Sequence, residues 1–298
     1  MNFNQDLEEK VTEINQIIEK QLPRETGLQK LVIEAMNYSV KAGGKRIRPM
    51  IMMETYLLCG GTRKELVYPF MATLECIHTY SLVHDDLPAM DNDEYRRGKL
   101  TTHKKYGEDF GVLAGDGLLN YAYELMLQAM TKTEDASELQ NSVKAAQVIA
   151  KKAGIYGMVG GQSLDVFLTD KPMNPEQLDF IFHLKTGALI EAAFMAGAIL
   201  AGANEDVIHN MEQVGSKVGY AFQIKDDILD VESTQEVLGK PVLSDEKNNK
   251  TTYVTIFGTN KAQSDVERLS EDAIRLLKQS GSNEFLIELI FKLINREK

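Results

Sequence analysis

Apolar side chains recur every three or four positions along much of this 298-residue chain. Leu7, Val11, Ile14, Ile18 and Leu22 form one stripe, and Leu28, Leu31, Val32, Ala35, Met36 and Ser39 a second. Phe285, Leu286, Leu289, Ile290 and Leu293 form a third. This spacing predicts helices with one buried face. Residues 115–130, 176–201 and 205–230 are rich in Ala, Leu, Met, Glu and Gln, which lose little rotamer freedom in a helix. Strand-like alternation is nearly absent. The seven prolines (23, 49, 69, 88, 172, 175 and 241) fall mostly where helices would start or stop, and 59–64, 91–101, 168–175 and 238–250 read as loops. No linker, low-complexity tract or fixed-period repeat divides the chain. The expectation is one all-α domain over residues 1–298.

Composition narrows the function. With 43% apolar residues the chain can bury a sizeable core. A formal net charge of −11 argues against nucleic acid as a partner, which would require a basic face. It leaves room for a phosphate ligand, because a few local cations or a metal reverse the field inside a cleft. Cys59 and Cys76 have no metal-ligand spacing and suit a reducing cytoplasm as small apolar residues. The N-terminus lacks the pattern of a signal peptide, and no apolar stretch reaches the length of a membrane span. A cytoplasmic protein is expected.

Two acidic segments break this picture: DDLPAMD at 85–91 and DDILD at 226–230, each inside an apolar stretch. Uncompensated burial of neighbouring carboxylates costs several kcal/mol, about 3–5 for one left unpaired. On a helix Asp226 and Asp230 lie about 40° apart, one turn from each other, with Gln223 on the same face and Ile224, Ile228 and Leu229 turned to the core. Aligned carboxylates of this kind suit Mg2+, which takes oxygen ligands. A solvated acidic turn is the commoner fate of one such motif alone. Asp91 would stand about 120° from Asp85 on a continuous helix, so Pro88 is expected to end or distort the helix and let Asp91 fold back. Acidic residues at a helix C-terminus also oppose the macrodipole, which calls for a compensating ligand.

Cations occur in three places. Lys45, Arg46 and Arg48 follow Gly43–Gly44, a pattern suited to phosphate; Arg96 and Arg97 follow the first acidic cluster; Lys185–Thr186–Gly187 interrupts an apolar helix. The interior glycine there implies a kink, close approach of a ligand, or tight helix packing. His78 is two turns before Asp85 on nearly the same face. GGQSLD at 160–165 reads either as a support built from Gln162 and Asp165 or as a turn between helices.

In chain order, GGKRIRP, DDLPAMD with RRG, GGQSLD, KTG, FQIKDDILD, GKPVLSD and KTTY resemble the all-trans isoprenyl diphosphate synthases from about residue 42 to 253. The resemblance implies a helical bundle around a deep central cavity, several Mg2+ ions, and condensation of isopentenyl diphosphate with an allylic diphosphate. It implies a homodimer as well. Asp85, Asp91 and Asp226 would be metal ligands, with Asp86, Asp227, Asp230 and Lys185 completing the catalytic set. Arg96, Lys185, Thr186, Gln223 and Lys240 would hold the allylic diphosphate; Lys45, Arg48, His78 and Arg97 would hold isopentenyl diphosphate. Tyr80 and Ser81, five and four residues before Asp85, would set product length, in a pattern similar to that of bacterial members making farnesyl diphosphate. A geranylgeranyl (longer-chain) synthase and a non-catalytic subunit are the alternatives. A terpene cyclase and an EF-hand protein fit poorly, the first for want of a second metal motif of its type, the second for want of the loop glycine and twelfth-position Glu.

Overall fold

The predicted stripes become helices. The computed structural model describes residues 2–232 and 251–295. In chain order these form α1 (Phe3–Gln21), α2 (Lys30–Val40), α3 (Ile47–Leu58), α4 (Tyr68–Asp85), β1 (Tyr95–Arg96), β2 (Lys99–Leu100), α5 (Thr102–Tyr106), α6 (Glu108–Thr131), α7 (Ala136–Ala153), α8 (Met158–Phe167) and α9 (Pro175–Ile181). A π-helical segment (Phe182–Gly187) leads into α10 (Ala188–Leu200), followed by α11 (Glu205–Glu232), α12 (Tyr253–Phe257), α13 (Thr259–Ser280) and α14 (Glu284–Ile294). A short 3-10 turn, Lys64–Leu66, precedes α4. Lys240, Pro241 and the 238–250 stretch lie outside the described residues.

Two compact units emerge: residues up to Ala146 with Leu200–Gly202, and Gln147–Ile199 with residues from Ala203 onward. In the first, α4 packs on α6, α3 and α1. It is buried nearly all round, with Phe70, Met71, Leu74 and Ile77 inaccessible to water, which explains its lack of a polar stripe. Pro69 sits in its first turn, where a missing amide costs nothing. In the second unit α11 packs on α13 and on the π-helical segment, and Leu286, Leu289, Ile290 and Leu293 bury the predicted face of α14.

Several expectations change. Leu28 is fully exposed before α2, because Gly27 adopts a positive φ of 83° and delays the helix. The 91–101 loop contains the antiparallel β1–β2 hairpin, its turn made by Arg97 and Gly98 at φ 54° and 74°. Two-residue strands are too short for any alternation to show. GGQSLD is helical within α8 rather than a turn. The continuous run Pro175–Leu200 is long and apolar enough to cross a membrane, contrary to the reading of the sequence; 72% of its most apolar window is buried, as in a core helix.

Candidate active site

In the first unit, α4 stops at Asp85, as Pro88 requires. The Asp86 amide donates to Leu82 (3.0 Å) and that of Leu87 to His84 (3.1 Å); the Asp91 amide then turns back to the carbonyl of Asp85 (2.9 Å). Asn92 closes the turn at φ 54°. Asp85 is half-buried and Asp91 exposed, whereas Asp86 is buried and accepts from Arg96 Nε at 2.7 Å. Burial raises the Asp86 pKa, and the Arg96 guanidinium opposes that rise. A cleft of about 360 Å³ is lined by Asp86, Arg96 and Arg97 with Thr79, Thr101 and Thr102.

The GGKRIRP segment divides its cations. Arg46 is buried and committed to structure: it donates to Asn15 Oδ1 (2.8 Å), to the Val40 carbonyl (2.6 Å) and to buried Glu75. Its place among the phosphate-binding cations is therefore corrected; a left-handed backbone at φ 49° turns it inward while Lys45 stays exposed. Arg97 donates to the Gly43 carbonyl and lies so close to Gly44 that a Cβ there would meet its guanidinium at 2.7 Å. Arg48 Nε is buried and has no hydrogen-bond partner among the described residues. Burial lowers the Arg48 pKa to about 10, with Glu75 opposing and Arg97 adding to the effect. His78 is held well below its ordinary value by burial first, then by Arg48, Arg97, Arg96 and Arg46. Arg48, His78, Arg96 and Arg97 thus share one electrostatic neighbourhood in which cations outnumber the carboxylate of Glu75.

Tyr80 is buried on α4, its ring edge-on to His84 at 5.8 Å. Burial raises its pKa to about 12, with Tyr123 and Asp85 adding to the shift. Ser81 Oγ donates to the His78 carbonyl at 2.9 Å.

In the second unit, α11 runs unbroken through DDILD, which places Asp226 and Asp230 one turn apart as predicted. Ile224, Ile228 and Leu229 are buried beside them. Asp226 is half-buried, but Asp227 and Asp230 are nearly inaccessible. Asp227 Oδ2 accepts from the Tyr253 amide at 2.6 Å, an anchor for the start of α12. Lys185 Nζ donates to Asp165 Oδ2 at 2.5 Å, and Thr186 Oγ1 to Gln223 Oε1 at 2.9 Å. These residues line a cleft of about 490 Å³ that also includes Asp227, Thr251 and Thr252. Close packing at Gly187 holds, since a Cβ on Gly219 would meet Gly187 Cα at 2.6 Å, and the helix there widens into a π turn. Gly161 of α8 lies equally close to the Leu184–Lys185 backbone, which ties GGQSLD to KTG. Thr251, Thr252, Tyr253 and Asp265 received no role from the sequence, although KTTY marked the first three as part of a motif.

Among the described residues no three His, Cys, Asp or Glu side chains converge on a ready-made metal cage. Mg2+ needs none: it is usually held by one or two carboxylates together with phosphate oxygens and water. The half-exposed Asp226 on a rigid helix and the Asp85–Asp91 turn are oxygen donors of that kind, so the residues fit this ion.

Residues 29–290 match the family model described as polyprenyl synthetase. The chain belongs to the polyprenyl synthetase family. It is 44% identical to the geranylgeranyl diphosphate synthase of Cyanophora paradoxa over 261 residues, covering 87% of this chain and 85% of the relative. It is 42% identical to the farnesyl diphosphate synthase of Micrococcus luteus over 299 residues, covering 98% and 100%. Among solved structures, a geranyltransferase from Helicobacter pylori complexed with magnesium and isoprenyl diphosphate is similar at a TM-score of 0.82 and 29% identity, covering 99% of this chain and 97% of that one. The chain is thus a prenyltransferase of the short-chain trans class. Overall identity does not choose between fifteen- and twenty-carbon products; that choice rests on the site.

Proposed function

We propose that the chain condenses isopentenyl diphosphate with dimethylallyl and then geranyl diphosphate to give farnesyl diphosphate. In the second unit Lys185, Thr186 and Gln223 hold the allylic diphosphate beside Asp226 and Asp230; Lys240 belongs to the same set but lies outside the described residues. In the first unit Lys45, Arg48, His78 and Arg97 bind isopentenyl diphosphate, and Arg96 is a further contact for the allylic substrate. Asp85, Asp91 and Asp226 would hold Mg2+. When bound, Mg2+ supplies positive charge for the departing diphosphate. The side chains do the rest by position. Fixed ammonium and guanidinium groups stabilise charge as the allylic carbon–oxygen bond breaks. Apolar walls keep water from the resulting cation, which the isopentenyl double bond attacks; the departing diphosphate then accepts the proton. A homodimer, a cytoplasmic location and one catalytic domain over residues 1–298 complete the reading.

The observation that carries the farnesyl product is buried Tyr80, one turn and a half before Asp85 on α4, where a bulky ring would end the space for a growing tail. Incubation with Mg2+, isopentenyl and dimethylallyl diphosphates, followed by chromatography of the products, tests the reading: a fifteen-carbon product is expected. Tyr80→Ala should extend it; an active variant with unchanged products would overturn the role of Tyr80. A longer-chain synthase is favoured by one observation, the small Ser81 four residues before Asp85, and a twenty-carbon product from the unaltered protein would establish it.

A further inference from the structure

Tyr253 touches both elements that carry the proposed allylic-diphosphate residues of the second unit. Its amide donates to Asp227 Oδ2 on α11 at 2.6 Å, and its hydroxyl donates to Asp265 Oδ2 on α13 at 2.7 Å. The ring stacks on Phe182 of the π-helical segment, with centroids 6.4 Å apart, three residues before Lys185. It meets Tyr220 of α11 edge-on at 6.2 Å, three residues before Gln223. Asp265 is buried, and its other oxygen accepts from Lys261 at 2.7 Å and Arg268 at 3.1 Å. A carboxylate with this many donors is a fixed point rather than a mobile acid, and Tyr253 transmits that fixity to the π turn and α11.

We propose that Tyr253 and Asp265 are positioning residues: Asp265 anchors the Tyr253 hydroxyl, and Tyr253 in turn sets the π-helical segment against α11, and with it the alignment of Lys185 and Thr186 with Gln223. The proposal rests on the assignment of those three side chains to the allylic diphosphate. Neither positioning residue touches substrate. Tyr253→Phe keeps the ring and the amide but removes the anchor; Asp265→Asn removes the charge at the other end.

The test measures steady-state kinetics for both substrates in the full chain, with hydrogen exchange across 251–257 alongside. Tyr253→Phe should raise KM for the allylic diphosphate about tenfold, the scale of one hydrogen bond to a charged group, and leave KM for isopentenyl diphosphate within about twofold. Asp265→Asn should match it, whereas Arg268→Gln, which leaves the Tyr253–Asp265 bond in place, should behave as the parent. Exchange across 251–257 should quicken in both positioning variants. Wild-type allylic KM in Tyr253→Phe, or equal loss for both substrates, would overturn the proposal. Should the unaltered protein form no prenyl product, the functional reading itself fails; unchanged exchange in Tyr253→Phe would then refute the anchor separately.

Discussion

The two acidic segments solve one problem by different local means. In DDLPAMD the helix ends and a proline-directed turn folds Asp91 back onto Asp85; in DDILD the helix continues and supplies the alignment itself. Beneath that difference lies a shared pattern of burial. The first aspartate of each segment is half-buried, while the second is buried and accepts a hydrogen bond, Asp86 from Arg96 and Asp227 from the Tyr253 amide. Identical residue types in adjacent positions therefore differ in burial and partners, because a helix turns about 100° per residue and sends neighbours to different environments.

The largest test of this pattern is chemical. Asp85→Ala and Asp226→Ala should each reduce turnover at saturating Mg2+ by at least about 10²-fold, the scale for one lost electrostatic stabiliser, with melting temperature little changed. Their neighbours should show the reverse balance. Asp86→Ala removes the buried partner of Arg96, which keeps only its longer contact with Asp93, and should cost about 2 kcal/mol in denaturant unfolding, as should Asp227→Ala through the lost charge-assisted bond. If Asp86→Ala and Asp226→Ala had the same profile, the distinction would collapse. Gly161→Ala should come next, at about 1–3 kcal/mol, because a Cβ there collides with backbone rather than with a yielding side chain.

Acid should separate the units in a different way. Burial alone would raise the Asp265 pKa, but hydrogen bonds from Lys261, Tyr253 and Arg268 outweigh it and hold the group at about 2. Its stabilising contribution is present above the ordinary carboxylate pKa near 4 and is lost as pH falls from there towards about 2. His78 is held below its ordinary value, so below about pH 6.5 the unfolded chain takes up a proton that the folded one does not. Stability in the first unit should thus decline at milder acidity; His78→Gln should remove that component from a pH series of unfolding free energies. The smallest effect belongs to Pro88→Ala, which should loosen the turn by about 0.4–1 kcal/mol while the Asp91–Asp85 bond persists.

Much of this was readable in the sequence. Helical periodicity gave α1, α2 and α14, and the apolar residues around DDILD identified a buried helix before any contact was known. Pro88 foretold the end of α4, because a missing amide and a restricted preceding residue act locally. The reading failed where long-range contacts decide. Arg46, Arg48 and Lys45 have similar side chains within four positions, yet only the fold sends Arg46 to Glu75 and leaves Arg48 Nε without a hydrogen-bond partner among the described residues. The hairpin at Arg97–Gly98 was too short for periodicity to register.

The sequence by itself determined the helical class, the family, and the list of acidic and basic residues, since periodicity, turn chemistry and motif order are properties of neighbours along the chain. Tertiary structure alone decided which aspartate of each pair is anchored, which arginine is structural, and that Tyr253, Asp227 and Asp265 form one chain of contacts. Those outcomes depend on burial and on partners tens of residues away, and a carboxylate's role follows from the donors that reach it rather than from its letter in a motif.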